Sequence, residues 1–216
     1  MSDSVVVLFV GGQNEMQTVC TAWSGWRVHA LASAEPLARL SASLSEDGGK
    51  RATADDVHMH AVDFTDIASV SALLMSLVPF RALVIWPTFD LTGPEGWEKA
   101  MDSTMGRCFC AVRAAYLPLI RQRQGSLWIV SPEILRGSTT PDEIEACIQP
   151  CSRGLASLAG VVAMELAKKG VIANYLDRGD GAGGLQQAIE LIRWTALQPK
   201  PYLTAESLAL RATRTR

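Results

Sequence analysis

Few pairs of side chains in this sequence have the type and spacing that chemistry requires. His58 and His60 are two residues apart in a segment with strand character, so their side chains share one face, as two ligands of a metal ion would. Metal sites built from histidine need at least one further protein ligand, and none is in evidence in the sequence. We therefore interpret both histidines as exposed or core residues and predict no metal site.

Nucleophilic side chains are present, but no base accompanies them. Cys147 and Cys151 are four residues apart and lie on one face of a predicted helix. A cysteine nucleophile needs a nearby base to form the thiolate, and none is visible in the sequence. Packing is therefore the preferred interpretation of this pair. Ser131 and Tyr116 remain, with Cys151, as candidates for a site of unfamiliar layout.

Length and composition narrow the class of protein. The 216 residues suffice for a single α/β domain spanning 1–216 and are too few for two. A formal net charge of -2 provides no basic surface for nucleic acid or an anionic membrane. Five cysteines, an odd number without CxxC spacing, favour a reducing cytoplasm. We expect a soluble cytoplasmic protein, because the first apolar run, Val5 to Val10, is far shorter than the roughly twenty residues of a membrane span.

Short apolar runs alternate with helix-compatible stretches along the chain. Such runs are typical of buried parallel strands, and strands that alternate with helices form right-handed βαβ units. The predicted fold is therefore an α/β, Rossmann-type doubly wound parallel sheet. The predicted strands are Val5–Val10, Arg27–Ala32, Val57–Phe64, Ala82–Trp86, Ser126–Ser131 and Gly170–Leu176. The predicted helices are Glu15–Trp23, Glu35–Ser45, Ile67–Leu77, Gly96–Arg123, Pro141–Lys169 and Leu185–Ala196.

Several motifs follow one another along the chain, beginning with Val5 to Val10 followed by Gly11 and Gly12, and then Val62 to Asp66. Their order resembles that of the short-chain dehydrogenases/reductases, in which the first is similar to the first strand and the start of the glycine-rich turn and the second to the third-strand motif. The later segments that resemble the family in the same order are Trp97–Met105, Gly125–Ser131, Leu155–Ala167, Gly170–Gly179 and Tyr202–Leu210. The resemblance spans nearly the whole chain and implies the same fold.

The resemblance also implies where the family's four catalytic residues would fall. That family reduces carbonyls with a nicotinamide cofactor, using a tyrosine as proton donor and a lysine four residues later that lowers its pKa. Those two positions hold Ile148 and Ser152, the orienting serine falls at Pro132, and the water-anchoring asparagine falls at Thr104. Isoleucine has no proton to give and serine carries no charge. We therefore predict that this chain has no catalytic residues of the family type.

The cofactor positions that the resemblance implies differ in the same way. The turn keeps Gly11 and Gly12 but has Met16 and Thr18 where later glycines would let the backbone approach a pyrophosphate. Glu15 adds a negative charge beside the phosphate position. On these residues we expect no nicotinamide cofactor in this chain.

Three remaining positions bear on the same expectation. Trp86 stands at the beginning of the segment where the family has Asn-Ala-Gly under the cofactor, and could fill an empty site. Asp63 matches the family's adenine-contacting position, although an aspartate at the end of a strand is often a turn former. The short segment Gly179 to Gly184 leaves little chain for a lid over a substrate.

A familiar scaffold with altered site residues admits three functions. The hypothesis that we rank first is a subunit that is no enzyme by itself and assembles with a catalytically intact NAD(P)-dependent paralogue, which holds the cofactor. The resemblance implies contact through helices 96–123 and 148–169, and heteromeric hydroxyacyl-CoA dehydrogenases of toluene-type aromatic degradation provide the model. The second is a stand-alone nucleotide- or ligand-binding regulator. The third is an oxidoreductase with a displaced active site that uses Ser131, Tyr116 or Cys151.

Overall fold

Strands and helices alternate through the described part of a computed structural model, which covers residues 3–11, 15–23, 25–46, 56–91, 96–135, 141–179, 182–198 and 203–210. The strands are β1 (Ser4–Val10), β2 (Arg27–Ala32), β3 (Val57–Ala61), β4 (Ala82–Asp90), β5 (Ser126–Val130), β6 (Glu133–Leu135), β7 (Ile172–Asp177) and β8 (Ser207–Ala209). The helices are α1 (Met16–Thr21), α2 (Ala34–Glu46), α3 (Ile67–Leu77), α4 (Gly96–Met101), α5 (Arg107–Gln122), α6 (Pro141–Leu166) and α7 (Ala182–Leu197).

The strands form one parallel sheet in the order β3-β2-β1-β4-β5-β7-β8, and β6 pairs with the end of β4. The chain runs outward from β1 to β3 and then returns to β4 on the other side of β1. In parallel sheets of this kind, ligands bind beyond the carboxyl ends of the strands where the order reverses. The predicted Rossmann-type fold is confirmed, and its switch point lies between β1 and β4.

Helices cover both faces of the sheet, and each face has its own apolar core. One core joins the sheet to α3, α5 and α6, and includes Leu74, Leu119 and Leu155. The other joins it to α1, α2 and α7, and includes Trp23, Trp86 and Ile189. Because both faces are buried, β1 is apolar at nearly every position, as the sequence pattern predicted.

Most element boundaries differ from the predictions by a few residues, and three of the differences have a clear cause in a contact that is not local in sequence or in a side-chain turn. β4 continues to Asp90 because its end pairs with β6, a short strand that was not predicted. The long helix predicted from Gly96 is interrupted by a π-helical turn at Asp102–Gly106. β3 ends at Ala61, since Asp63 accepts hydrogen bonds from the backbone N–H and the hydroxyl of Thr65 and turns the chain.

Within the described residues, no helix combines the length and the hydropathy needed to cross a membrane.

Candidate functional site

The backbones of β1 and β4 come close together at the switch point. Gly11, directly after β1, has φ +116°, a conformation that L side chains rarely adopt. A Cβ added at Gly11 would lie 3.0 Å from the Cβ of Thr88 on β4. Glycine is therefore required here by both conformation and space. Gly12, the second predicted glycine of the turn, lies outside the described residues.

Thr88 contributes a polar group to the region at the carboxyl ends of β1 and β4, which we call the crevice. It is 3% exposed, and its Oγ1 has no hydrogen-bond partner among the described residues. Its carbonyl oxygen accepts a hydrogen bond from Oγ1 of the fully buried Thr104, at 2.7 Å. Thr104, at the family's asparagine position, thus braces the end of β4 from the π-helical turn. The hydroxyl of Thr88 is left with hydrogen-bonding capacity that a ligand would satisfy.

Arg178, just after β7, brings a positive charge to the same edge. Its Nη1 donates to both carboxylate oxygens of Glu15, at 2.8 and 2.7 Å. Its Cζ lies 5.7 Å from the ring centroid of Trp86, a cation–π contact. Its backbone N–H donates to Oγ of Ser131 at 3.2 Å, and its Nε is buried without a partner among the described residues. The sequence analysis missed Arg178, because its partner lies 163 positions away in the chain and no local pattern links the two.

The other predicted cofactor positions have mainly structural roles. Met16 is buried and packs into the core between the sheet and α1, while Thr18 lies on the exposed side of α1. Trp86 is fully buried in that same core. Asp63 is exposed, and its two hydrogen bonds from Thr65 hold the pKa of its carboxyl below the ordinary value. Asp63 is accordingly a turn former in this structure.

The positions of the family's tyrosine and lysine lie beside a packed region. Ile148 and Ser152 are half-buried on α6, and Ile148 packs against the core that contains Cys151. Tyr175 on β7 reaches this region, with its hydroxyl buried and lacking a well-formed hydrogen bond among the described residues. Burial raises the pKa of Tyr175 to about 12, and the nearby Ser152 hydroxyl opposes this only in part. Tyr175 was not found from sequence, because the expected tyrosine position lies on a helix rather than on β7. The absence of family-type catalytic residues stays a prediction.

The three candidates for a displaced site lie in three different surroundings. Ser131 lies at the end of β5 beside Arg178 and thus at the edge of the crevice. Cys151 is buried in the core, where burial raises the pKa of its thiol to about 12 and keeps it protonated. Tyr116 lies on α5, where its hydrogen bond to Glu165 of α6 raises its pKa. Among these candidates, only Ser131 is positioned near the crevice.

All three histidines meet on β2 and β3, away from the crevice. His29, a residue that the sequence analysis did not consider, lies with its Nδ1 3.2 Å from Nε2 of His60 and stacks on the ring of His58 at 5.1 Å. Burial, followed by the neighbouring histidine charges, lowers the pKa of His29 to about 4. In the part of the chain that the structure describes, no group of three His, Cys, Asp or Glu side chains is arranged to hold a metal ion.

An apolar groove runs along α5 and α6 next to α3. Its volume is about 760 Å³. Phe109 and Leu117 on α5 and Val161 on α6 line it, and each is more than half exposed. Arg113 and Glu165 add one charge of each sign to the lining. A contiguous exposed apolar surface of this kind is typical of protein–protein contact.

Comparison with known proteins identifies the fold from structure alone. No protein-family model matches the chain, and no curated protein matches it. Among solved structures, ElxO with NADP bound is 14% identical, with a TM-score of 0.69 over 97% of both chains. A short-chain dehydrogenase from Mycobacterium smegmatis is 19% identical, with a TM-score of 0.69 over 99% of this chain and 93% of that one. A metagenomic short-chain oxidoreductase in complex with NADP is 18% identical, with a TM-score of 0.69 over 98% of both chains.

These neighbours overturn two sequence-based predictions. The chain was expected to be no enzyme by itself and to hold no nicotinamide cofactor, yet the structures that match it almost end to end include a short-chain dehydrogenase and a short-chain oxidoreductase, and ElxO and that oxidoreductase are bound to NADP. Both predictions are wrong. They treated Glu15 as an uncompensated charge and Met16 as an obstacle, whereas Arg178 neutralises Glu15 and Met16 packs into the core. The switch point between β1 and β4 is set by strand order, which the altered catalytic positions do not change.

Proposed function

Because the chain has the fold of the short-chain dehydrogenases/reductases, we propose that it is an oxidoreductase that binds a nicotinamide dinucleotide in the crevice between β1 and β4. We further propose that it works in a complex with a second chain of this fold. Unfilled polar groups at the switch point carry the proposal: Oγ1 of Thr88 and Nε of Arg178 are buried without partners among the described residues. A buried polar atom without a hydrogen-bond partner destabilises the fold, and a ligand that forms the missing hydrogen bond removes this cost.

The residues at the crevice fit a dinucleotide. Gly11 lets the end of β1 pack closely against Thr88, Thr88 offers a hydroxyl, and Arg178 offers a guanidinium, the group best suited to phosphate. When bound, the reduced nicotinamide supplies a hydride to a substrate carbonyl carbon. Ser131 accepts the N–H of Arg178, so its own proton is free to hydrogen-bond the substrate oxygen. Since Ile148 cannot donate a proton, the proton that completes the alcohol comes from water.

The proposed partner docks on the groove of α5 and α6. Phe109, Leu117 and Val161 would be buried by a second chain of the same fold, and Arg113 and Glu165 provide charges for pairing across the contact. These helices are the ones that the sequence resemblance assigns to assembly. Heteromeric hydroxyacyl-CoA dehydrogenases of aromatic degradation supply the class of partner that we propose, an NAD(P)-dependent paralogue. Five free cysteines support a reducing compartment such as the cytoplasm.

Nucleotide titration tests the proposed site directly. We expect NADPH or NADH to bind the purified chain saturably at micromolar concentration, as measured by calorimetry. Gly11→Ala should weaken binding at least tenfold, about 1.4 kcal/mol, because its Cβ enters the approach to Thr88. Gly25→Ala is the matched control, since Gly25 also has positive φ (+79°) but an added Cβ meets nothing within 4 Å. Absence of saturable binding by the wild-type chain would refute the proposed function.

Assembly is tested separately by substitution on the groove. Leu117→Glu should abolish association with the paralogue, measured by co-purification and light scattering, because it buries a carboxylate in an apolar contact. Leu197→Glu is the control, since Leu197 is similarly exposed but lies on α7. If both variants lose association equally, or if both still associate, the groove is not the docking site.

A further inference from the structure

We propose that Glu15 competes with the phosphates of the dinucleotide for Arg178, so that nucleotide binding requires Arg178 to exchange the carboxylate for a phosphate. This inference rests on the nucleotide site proposed above and assigns two of the chain's residues a regulatory role in it. It goes beyond the resemblance, because Arg178 and its contact with Glu15 were identified from the structure.

The ion pair with Glu15 leaves part of the hydrogen-bonding capacity of the Arg178 guanidinium unfilled. Both hydrogen bonds to Glu15 come from one nitrogen, Nη1, while Nε is buried and unpartnered among the described residues. The strongest arginine–anion pairs use two nitrogens in a planar fork. A phosphate that engages Nε together with a terminal nitrogen would satisfy the orphaned donor. Arg178 therefore has a better partner available than the one it holds.

The surroundings decide which half of the pair moves. The side chain of Arg178 is 10% exposed, lies over Trp86, and has its backbone fixed by Ser131. The side chain of Glu15 is 27% exposed, so it has a path to solvent. A phosphate anion close to an unmoved Glu15 would suffer strong repulsion in this poorly screened site. We infer that Arg178 stays in place and that Glu15 swings outward.

An exchange of anions makes a prediction opposite to that of a purely structural ion pair. Removing the charge at Glu15 weakens the fold slightly but frees Arg178, so nucleotide affinity should rise. A structural pair would instead give lower stability with unchanged or weaker binding. The sign of the change in affinity separates the two.

The experiment is an NADPH titration of four chains, followed by the fluorescence of the bound nicotinamide. We expect Glu15→Gln to bind about tenfold more tightly than wild type, and Arg178→Met at least tenfold more weakly. Glu35→Gln is the matched control, since Glu35 also pairs with an arginine, Arg39, at 2.9 Å on an exposed helix surface, and its affinity should equal that of wild type.

The outcomes separate this inference from the proposed function. Should wild type bind NADPH and Glu15→Gln bind it no more tightly, the competition is refuted while the nucleotide site stands. Should no chain bind NADPH, both fail. Glu15→Asp provides a second variant if Glu15→Gln does not fold, because its shorter side chain weakens the same pair and should also tighten binding.

Discussion

The carboxyl edge of the sheet has two halves: one contains buried polar atoms, and the other is an apolar packing. Between β1 and β4, Thr88 and Arg178 present buried polar atoms without partners among the described residues, next to Gly11, whose missing Cβ leaves room for Thr88. Between β5, β7 and α6, the family's catalytic positions adjoin an apolar packing that includes Ile148, Cys151 and Tyr175. We infer that binding a nucleotide and placing a proton donor are separate demands on this fold. In our proposal, strand order and backbone meet the first, whereas the second depends on individual side chains.

The largest effect on the free energy of unfolding should come from Trp86, the ring that lies under Arg178. Trp86→Ala deletes a fully buried ring under Arg178 and should lower the free energy of unfolding by about 3–5 kcal/mol, measured by urea denaturation. Trp97→Ala, at a half-exposed ring on α4, should change it by less than about 1 kcal/mol. Similar losses in both variants would contradict the central role given to Trp86.

Breaking the ion pair tests whether the crevice half is held by charge. Arg178→Met leaves Glu15 without its partner in a site where both side chains are mostly buried, and should cost about 2 kcal/mol of unfolding free energy. Arg39→Met breaks an exposed pair with Glu35 and should cost no more than about 0.5 kcal/mol. Thermal unfolding of the two variants in parallel provides the measurement, and equal costs would count against the ion pair.

The histidines on β2 and β3 should make stability depend on pH at a place remote from both halves. The pKa of His29 is lowered to about 4, so as the pH falls the unfolded chain binds a proton at a higher pH than the folded chain does. Stability is therefore full above about pH 6.5 and falls as the pH drops toward 4. Solvent screening of the partly exposed ring reduces the loss to about 1 kcal/mol. His29→Gln should flatten the profile of unfolding free energy against pH, and an unchanged profile would contradict this assignment.

The smallest effect on the free energy of unfolding should come from the half between β5, β7 and α6. Tyr175→Phe removes a buried hydroxyl that lacks a well-formed hydrogen bond among the described residues, and should change the unfolding free energy by less than about 1 kcal/mol. Nucleotide affinity should be unaltered, since Tyr175 packs beside α6 and not at the crevice. A large drop in affinity would show that the two halves are coupled.

The fold followed from the sequence because its signals are local and repeated. The strand Arg27–Ala32 and the helix Ile67–Leu77 have the predicted bounds, since apolar runs and helical spacing report burial directly. β6 and the π-helical turn at Thr104 depend on contacts with the end of β4, which lies far away in sequence. No periodicity encodes such contacts.

The site was harder to predict, because its main interaction joins distant residues. From the sequence alone, the negative charge of Glu15 is expected to repel a phosphate, and only the structure shows that Arg178 is its partner. Residues judged one by one against a family pattern therefore gave the wrong expectation about the cofactor. Ser131 was weighed from sequence as a candidate, and its contact with Arg178 places it near the crevice. The third histidine, His29, was missed because it lies on a different strand from His58 and His60.

A crystal structure of the chain grown with saturating NADPH tests the central claim most directly. We expect the pyrophosphate beside Gly11, with the guanidinium of Arg178 on a phosphate oxygen and the carboxylate of Glu15 turned toward solvent. A crevice without nucleotide at saturating NADPH, with the pair of Arg178 and Glu15 still closed, would contradict the account.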